Sequence, residues 1–172
     1  MEYIHSYLSY LLTGQKTKTE DYTYGERLVD AKVRVTHTLK GKTMVEEMPL
    51  DVNQVEEVIK IYKTQGHGTN QAVMEIGMPS DIKLNDPPCL RLIDTRVRYG
   101  KLHFFPYFRS WDLWGGFPSN LGGLELVKQY MAEEIGVENG EIIASSKGLH
   151  LYDYTWDLAK QRTGKLDIEI KE

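Results

Sequence analysis

The sequence predicts an α+β fold, a single domain over residues 1–172 in which a mixed or antiparallel sheet is packed by helices. Three observations carry this expectation. Segments near 51–64 and 121–135 repeat apolar residues at helical spacing, and they bracket segments that alternate every second residue. Two of the alternating segments meet at Tyr99-Gly100, a short turn that demands antiparallel neighbours. The chain shows neither an internal repeat nor a linker, and its 172 residues suit one hydrophobic core.

Taken in order, Tyr3, Ile4, Tyr7, Leu8, Leu11 and Leu12 recur at helical spacing before Gly14, which predicts a short amphipathic helix with a glycine stop. The polar run QKTKTED reads as a loop. A second helix is expected from Asp51 to about Thr64, with Asp51 as its cap and Val52, Val55, Ile59 and Tyr62 on one face. QGHGTN follows as a loop, and Ala72 to Gly77 reads as a buried strand. Leu90 to Arg98 and Lys101 to Arg109 form the predicted hairpin. In GGFPSNLGGLELVKQYMAEEIGVENG, a proline and cap-type residues precede Leu124, Val127, Tyr130, Met131 and Ile135 at helical spacing. Glu141 to Tyr152 reads as a further strand, followed by a polar C-terminal part.

Composition narrows the function classes. With 41% hydrophobic and 27% charged residues, and no apolar run near the ~18 residues of a membrane span, a soluble protein is expected. The N-terminus lacks a basic leader and a small-residue cleavage site, and one cysteine forms no internal disulfide, so a cytoplasmic, reducing location is expected. A net charge of -4 with both signs interspersed offers no footprint for nucleic acid, and no metal is expected.

The single cysteine, Cys89, reads either as a small buried hydrophobe or as a nucleophile. Pro87 and Pro88 force a rigid, extended approach that fixes the direction of its side chain. Arg109 lies as far beyond Tyr99 as Cys89 lies before it, and a guanidinium near a thiol favours the attacking thiolate. The alternative for Arg109 is an ion pair at a strand end.

Three motifs, PPCLRL, FFPYFRSWDLWGGFPSNLGGLELV and GLHLYDY, stand in an order and spacing that resemble the thymidylate synthases, particularly the short archaeal forms. Arg109, Asn120 and His150 follow Cys89 by 20, 31 and 61 residues, as they do in that family. Weaker similarity in YTYGERL and NQVEEVIKIYKTQ extends the resemblance over roughly Tyr22 to Trp156, and it is strongest over 86–156.

The resemblance implies a thymidylate synthase-like fold and a methyltransferase that converts dUMP to dTMP. The one-carbon donor would be 5,10-methylenetetrahydrofolate or an archaeal methylene-tetrahydropterin analogue. It implies that Cys89 adds to C6 of the pyrimidine, which requires stabilisation of charge developing at O4. Asn120 would read the base, accepting from N3–H while donating to O4; its other reading is an N-cap for a helix beginning near Leu121. Arg109 and Ser110 would contact the phosphate, Ser110 otherwise being a strand-end hydroxyl. Asp112 and Gly116 would face the pterin, with Asp112 also near the nucleotide; without the family Asp112 is a solvated loop acid. His150 and Tyr152 would hold the ribose from one face of the last strand, where a lone histidine is otherwise structural. Tyr24 would assist proton removal at C5, and in isolation it reads as turn packing beside Gly25. A homodimer packed through its sheets is also implied, with Phe104, Phe105, Tyr107 and Phe108 either on that face or in the core.

Some expected parts differ. Where the family carries two adjacent arginines directed to the partner's phosphate, this chain has Asn70 and Gln71, with His67 nearby as a substitute when protonated. The family's N-terminal part, with a further phosphate arginine and a glutamate near O4, has no counterpart, and Glu2, Glu20 and Glu26 stand in the wrong context. Met1 therefore reads as the start of a shortened protein. The alternatives are a pyrimidine nucleotide hydroxymethylase, which Asn120 counters by favouring uracil over cytosine, and a non-catalytic nucleotide-binding homologue.

Overall fold

The computed structural model describes residues 31–39 and 42–165, with side chains from residue 52 onward. The helix expected over residues 3–12 and the candidate Tyr24 lie outside the described residues. The first described elements are an antiparallel pair, β1 (Ala31–Leu39) and β2 (Lys42–Val52), in a stretch for which no element is expected above. The signal was the alternation of Val33 and Val35 with polar neighbours.

That pair moves the start of the next helix. Asp51 is paired with Lys32 and Val52 with Ala31, so the first residue clear of the ladder is Asn53. Asn53, not Asp51, caps α1 (Gln54–Gln65), its Oδ1 accepting from the Glu56 N–H at 3.2 Å. Val55, Val58, Ile59 and Tyr62 are buried along one stripe of α1, each apolar side chain contributing roughly 1.5–3 kcal/mol of burial. Gly66, at φ 81°, ends the helix in a backbone conformation that favours glycine.

β3 (Val73–Glu75) pairs antiparallel with β4 (Leu90–Arg98), and β4 pairs antiparallel with β5 (Lys101–Phe108). Tyr99 and Gly100, at φ 52° and 73°, form the predicted turn in the handedness that suits a two-residue hairpin. After β6 (Trp111–Asp112), helix α2 (Gly116–Ile135) carries the chain back, so β7 (Glu138–Ile142) joins β5 in parallel. The sheet is therefore mixed, in the order β3-β4-β5-β7, and β8 (Ser145–Ser146) pairs with the end of β5. β6 pairs separately with β9 (Leu149–His150), also in parallel.

The strand expected over Glu141 to Tyr152 is thus three short pieces beginning at Glu138. The chain leaves β5 for β6 at Arg109-Ser110, and the segment alongside must make the same step. The polar C-terminal part contains α3 (Trp156–Thr163), which has no buried residue and hence no apolar stripe to reveal it.

Leu90, Ile93, Thr95 and Val97 of β4, with Leu102, Phe104 and Phe108 of β5, face α1 and α2 in one core. Phe105 and Tyr107 point to the opposite face, so the aromatic run is divided between core and surface by the pleat. The core also holds a polar chain: the Tyr62 hydroxyl donates to Thr95 Oγ1 at 2.9 Å, and Thr95 donates to the Ala72 carbonyl at 2.7 Å.

Candidate active site

The hairpin brings Cys89 to Arg109, through a register that differs from simple counting about the turn. Arg98 pairs with Lys101, and continuing that register would set Cys89 opposite Ser110. Arg91 is an extra residue on β4, since Leu90 pairs with Phe108 and Leu92 with Tyr107. This β-bulge draws Cys89 back by one position, and the Arg109 N–H donates to the Cys89 carbonyl at 2.8 Å. Cys89 is half-buried and packs against the edge of the core.

The Arg109 side chain braces the approach to the cysteine. Its Nε and Nη2 donate to the Pro87 carbonyl at 3.1 and 2.6 Å, and Nη2 pairs with Asp86 at 2.8 Å. The strand-end ion pair that the sequence also allows for Arg109 is therefore present, on the loop that carries the thiol. Asp86 is 75% exposed, so an incoming anion can exchange with it at Arg109 without desolvating a buried partner.

Asp112 closes the start of α2. Its Oδ1 accepts the Trp114 N–H at 3.0 Å, and its Oδ2 accepts those of Gly115 and Gly116 at 3.0 and 2.9 Å. Partial burial raises the Asp112 carboxyl, but these backbone donors and the neighbouring His150 outweigh it, so its pKa lies below the usual carboxylate range. Glycine suits this wrap, because a Cβ on Gly115 would sit 3.2 Å from Oδ2 and one on Gly116 would sit 3.3 Å from the Asp112 Cβ.

Asn120 lies inside α2 and does not cap it; Gly115 is the N-cap residue, and Asp112 supplies the acceptor. Trp111 Nε1 donates to Asn120 Oδ1 at 2.9 Å, which orients the amide. Trp111 is itself fixed by stacking on Phe108, with centroids 4.0 Å apart and planes at 9°. Sequence reading missed Trp111; its one signal was an indole N–H that needs an acceptor when buried.

Ser110 and His150 meet across the β6-β9 edge, Ser110 Oγ lying 2.8 Å from His150 Nδ1. His150 is in β9 and Tyr152 just beyond it, yet their rings touch edge to face at 5.0 Å. Tyr154 then stacks on Tyr152 at 5.6 Å. Burial raises the Tyr152 phenol above its ordinary pKa, and the nearby acidic groups of Asp86, Cys89, Asp112 and Tyr154 push the same way. The backbone bond from Arg109 to Cys89, the Ser110–His150 contact, the pairing of Asp112 with His150 and the His150–Tyr152 ring contact bring these residues together at one end of the sheet.

Asn70 and Gln71 are exposed at the other side of β3, where Arg96 donates to the Thr69 carbonyl at 2.8 Å. His67 lies edge-on to Tyr62 at 6.3 Å. Among the described residues, no group of three or more His, Cys, Asp or Glu is placed to hold a metal, and no helix is long and apolar enough to cross a membrane.

The family model described as thymidylate synthase matches residues 14–168, and the chain belongs to the thymidylate synthase family. A protein of Methanosarcina barkeri (strain Fusaro) provisionally named thymidylate synthase is 34% identical over 161 residues, covering 92% of this chain and 65% of that protein. A provisionally named counterpart in Methanosarcina mazei is 33% identical over 159 residues, with the same coverage. The thymidylate synthase of Listeria monocytogenes (serotype 4a) is 30% identical over 115 residues, or 66% of this chain and 36% of that protein. The chain thus spans just under two thirds of the archaeal relatives' length.

Proposed function

We propose that this chain forms one thymidylate synthase-like domain and methylates dUMP to dTMP, using a methylene-tetrahydropterin of the folate type as one-carbon donor and reductant. The observation that carries this reading is the convergence of Cys89, Arg109, Ser110, Asp112, Asn120, His150 and Tyr152 at one end of the sheet. The Cys89 thiolate adds to C6 of the uracil ring, which makes C5 nucleophilic toward the donor's methylene group. Tyr24 assists departure of the C5 proton, the bond from the methylene carbon to the pterin nitrogen breaks, and hydride from the tetrahydropterin, which is thereby oxidised to the dihydropterin, completes the methyl group as the thiolate leaves.

Arg109 and Ser110 take the phosphate, Arg109 exchanging Asp86 for it. His150 and Tyr152 take the ribose hydroxyl, His150 being set by its bond to Ser110. The Asn120 amide, oriented by Trp111, reads N3 and O4. Asp112 Oδ1 carries one backbone donor against two on Oδ2, and it is the oxygen suited to accept from the pterin's N–H edge, beside Gly116. The protein would act in the cytoplasm as a homodimer.

The test is intact-protein mass after incubation with 5-fluoro-dUMP and methylene-tetrahydrofolate, because fluorine blocks departure from C5 and traps the covalent ternary complex. A mass increase equal to both ligands on the wild type, absent in Cys89→Ser, is expected. No adduct on the wild type, with nucleotide binding retained, would point instead to the non-catalytic homologue.

A further inference from the structure

Two prolines lead directly into Cys89. Pro87 and Pro88 have no N–H, so their carbonyls are the backbone handles by which the loop can be gripped. Arg109 grips the first of these. Arg91 reaches the second, its Nη1 lying 3.5 Å from the Pro88 carbonyl, at the long limit of a hydrogen bond.

Arg91 is also the bulge residue that determines which residue faces Cys89. Its carbonyl accepts two N–H groups, from Ile76 at 3.0 Å and Gly77 at 2.7 Å, and its Nη1 pairs with Asp81 Oδ2 at 2.8 Å. Asp81 is 1% exposed and sits in the 3-10 turn Pro79–Lys83, where it also accepts the Met78 N–H at 2.8 Å. Gly77 leaves room for the guanidinium, since a Cβ there would stand 2.6 Å from it. A buried carboxylate therefore holds a guanidinium against the bulge and the cysteine loop from the side opposite Arg109.

We propose that Arg91, held by Asp81, is a positioning residue for the Cys89 nucleophile: it locks the bulge that sets Cys89 against Arg109. This rests on Cys89 being the nucleophile. Because the chain has one cysteine, alkylation by iodoacetamide reports on Cys89 alone.

The test follows alkylation rate against pH for the wild type, Arg91→Lys and Asp81→Asn, with thermal melts and dUMP turnover alongside. Arg91→Lys keeps the charge but replaces the rigid planar guanidinium, whose Nη1 faces both Asp81 and Pro88, with a flexible ammonium, and Asp81→Asn keeps the shape without the ion pair. In both, the alkylation midpoint is expected to move to higher pH and kcat to fall about 10²-fold, as for a misplaced reacting group, with KM little changed. Midpoints superimposable on the wild type in folded variants, whatever their Tm, would overturn the proposal and leave the pair a fold brace only. Absence of turnover in the wild type would instead sink the synthase reading, while the alkylation midpoints would still decide the role of Arg91.

Discussion

At Asp112 a single carboxylate collects three backbone N–H groups, and this gives the site a measurable pH signature. The folded carboxyl titrates below the unfolded one, so its stabilising contribution is fully present above the unfolded value, near pH 3.9, and is lost as pH falls through the depressed folded value. Asp112→Asn should therefore lower the urea midpoint at pH 7 and converge with the wild type under acid conditions. Asp112→Ala removes the acceptors altogether and should cost about 1–2 kcal/mol, the usual effect of losing a helix cap. A gap between wild type and Asp112→Asn that persisted unchanged to pH 2 would show that the negative charge is not what matters. None of this was visible in the local sequence, where Asp112 reads as a loop acid, because the donating N–H groups lie in and just before the first residue of a helix whose start is earlier than the cap-type Asn120 suggests.

The pairing of β5 with β7 depends on one close approach. Gly140 passes so near the Leu102 carbonyl that an added Cβ would collide with backbone, and the His103 ring stands 2.9 Å from the same position. His103 Nδ1 meanwhile accepts the Glu141 N–H at 3.1 Å. The buried Lys128 of α2 donates to the Gly140 carbonyl and pairs with Glu125 at 3.0 Å, so helix and strand meet at this glycine. Gly140→Ala should destabilise the fold by about 1–3 kcal/mol, the range for overpacking a tight contact, read as a lower urea midpoint. An unchanged midpoint would mean that β7 shifts without cost. Here too the sequence was partly legible: the helix of α2 follows from its apolar spacing, whereas the tight approach at Gly140 exists only once β7 is laid beside β5.

The whole molecule presents a mixed sheet with α1 and α2 on one face and Leu92, Phe105 and Tyr107 on the other, where Tyr107 is 37% exposed. In the proposed homodimer this second face packs against its copy. Sedimentation at micromolar concentration should give a dimer for the wild type and a monomer for Phe105→Glu, since a charge at the centre of an apolar contact is left unpaired. A monomeric wild type would remove the dimer. The motif order, the hairpin about Tyr99-Gly100 and the long helix were all readable from residue order, because periodicity, turn chemistry and motif spacing are properties of the chain itself. The cap at Asn53, the bulge at Arg91 and the bond from Trp111 to Asn120 were not. The first two depend on which backbone groups a paired strand has already used, and the third on a strand and a helix being packed together. A linear pattern carries periodicity; only pairing across the fold decides the register, and the register is what sets Cys89 against Arg109.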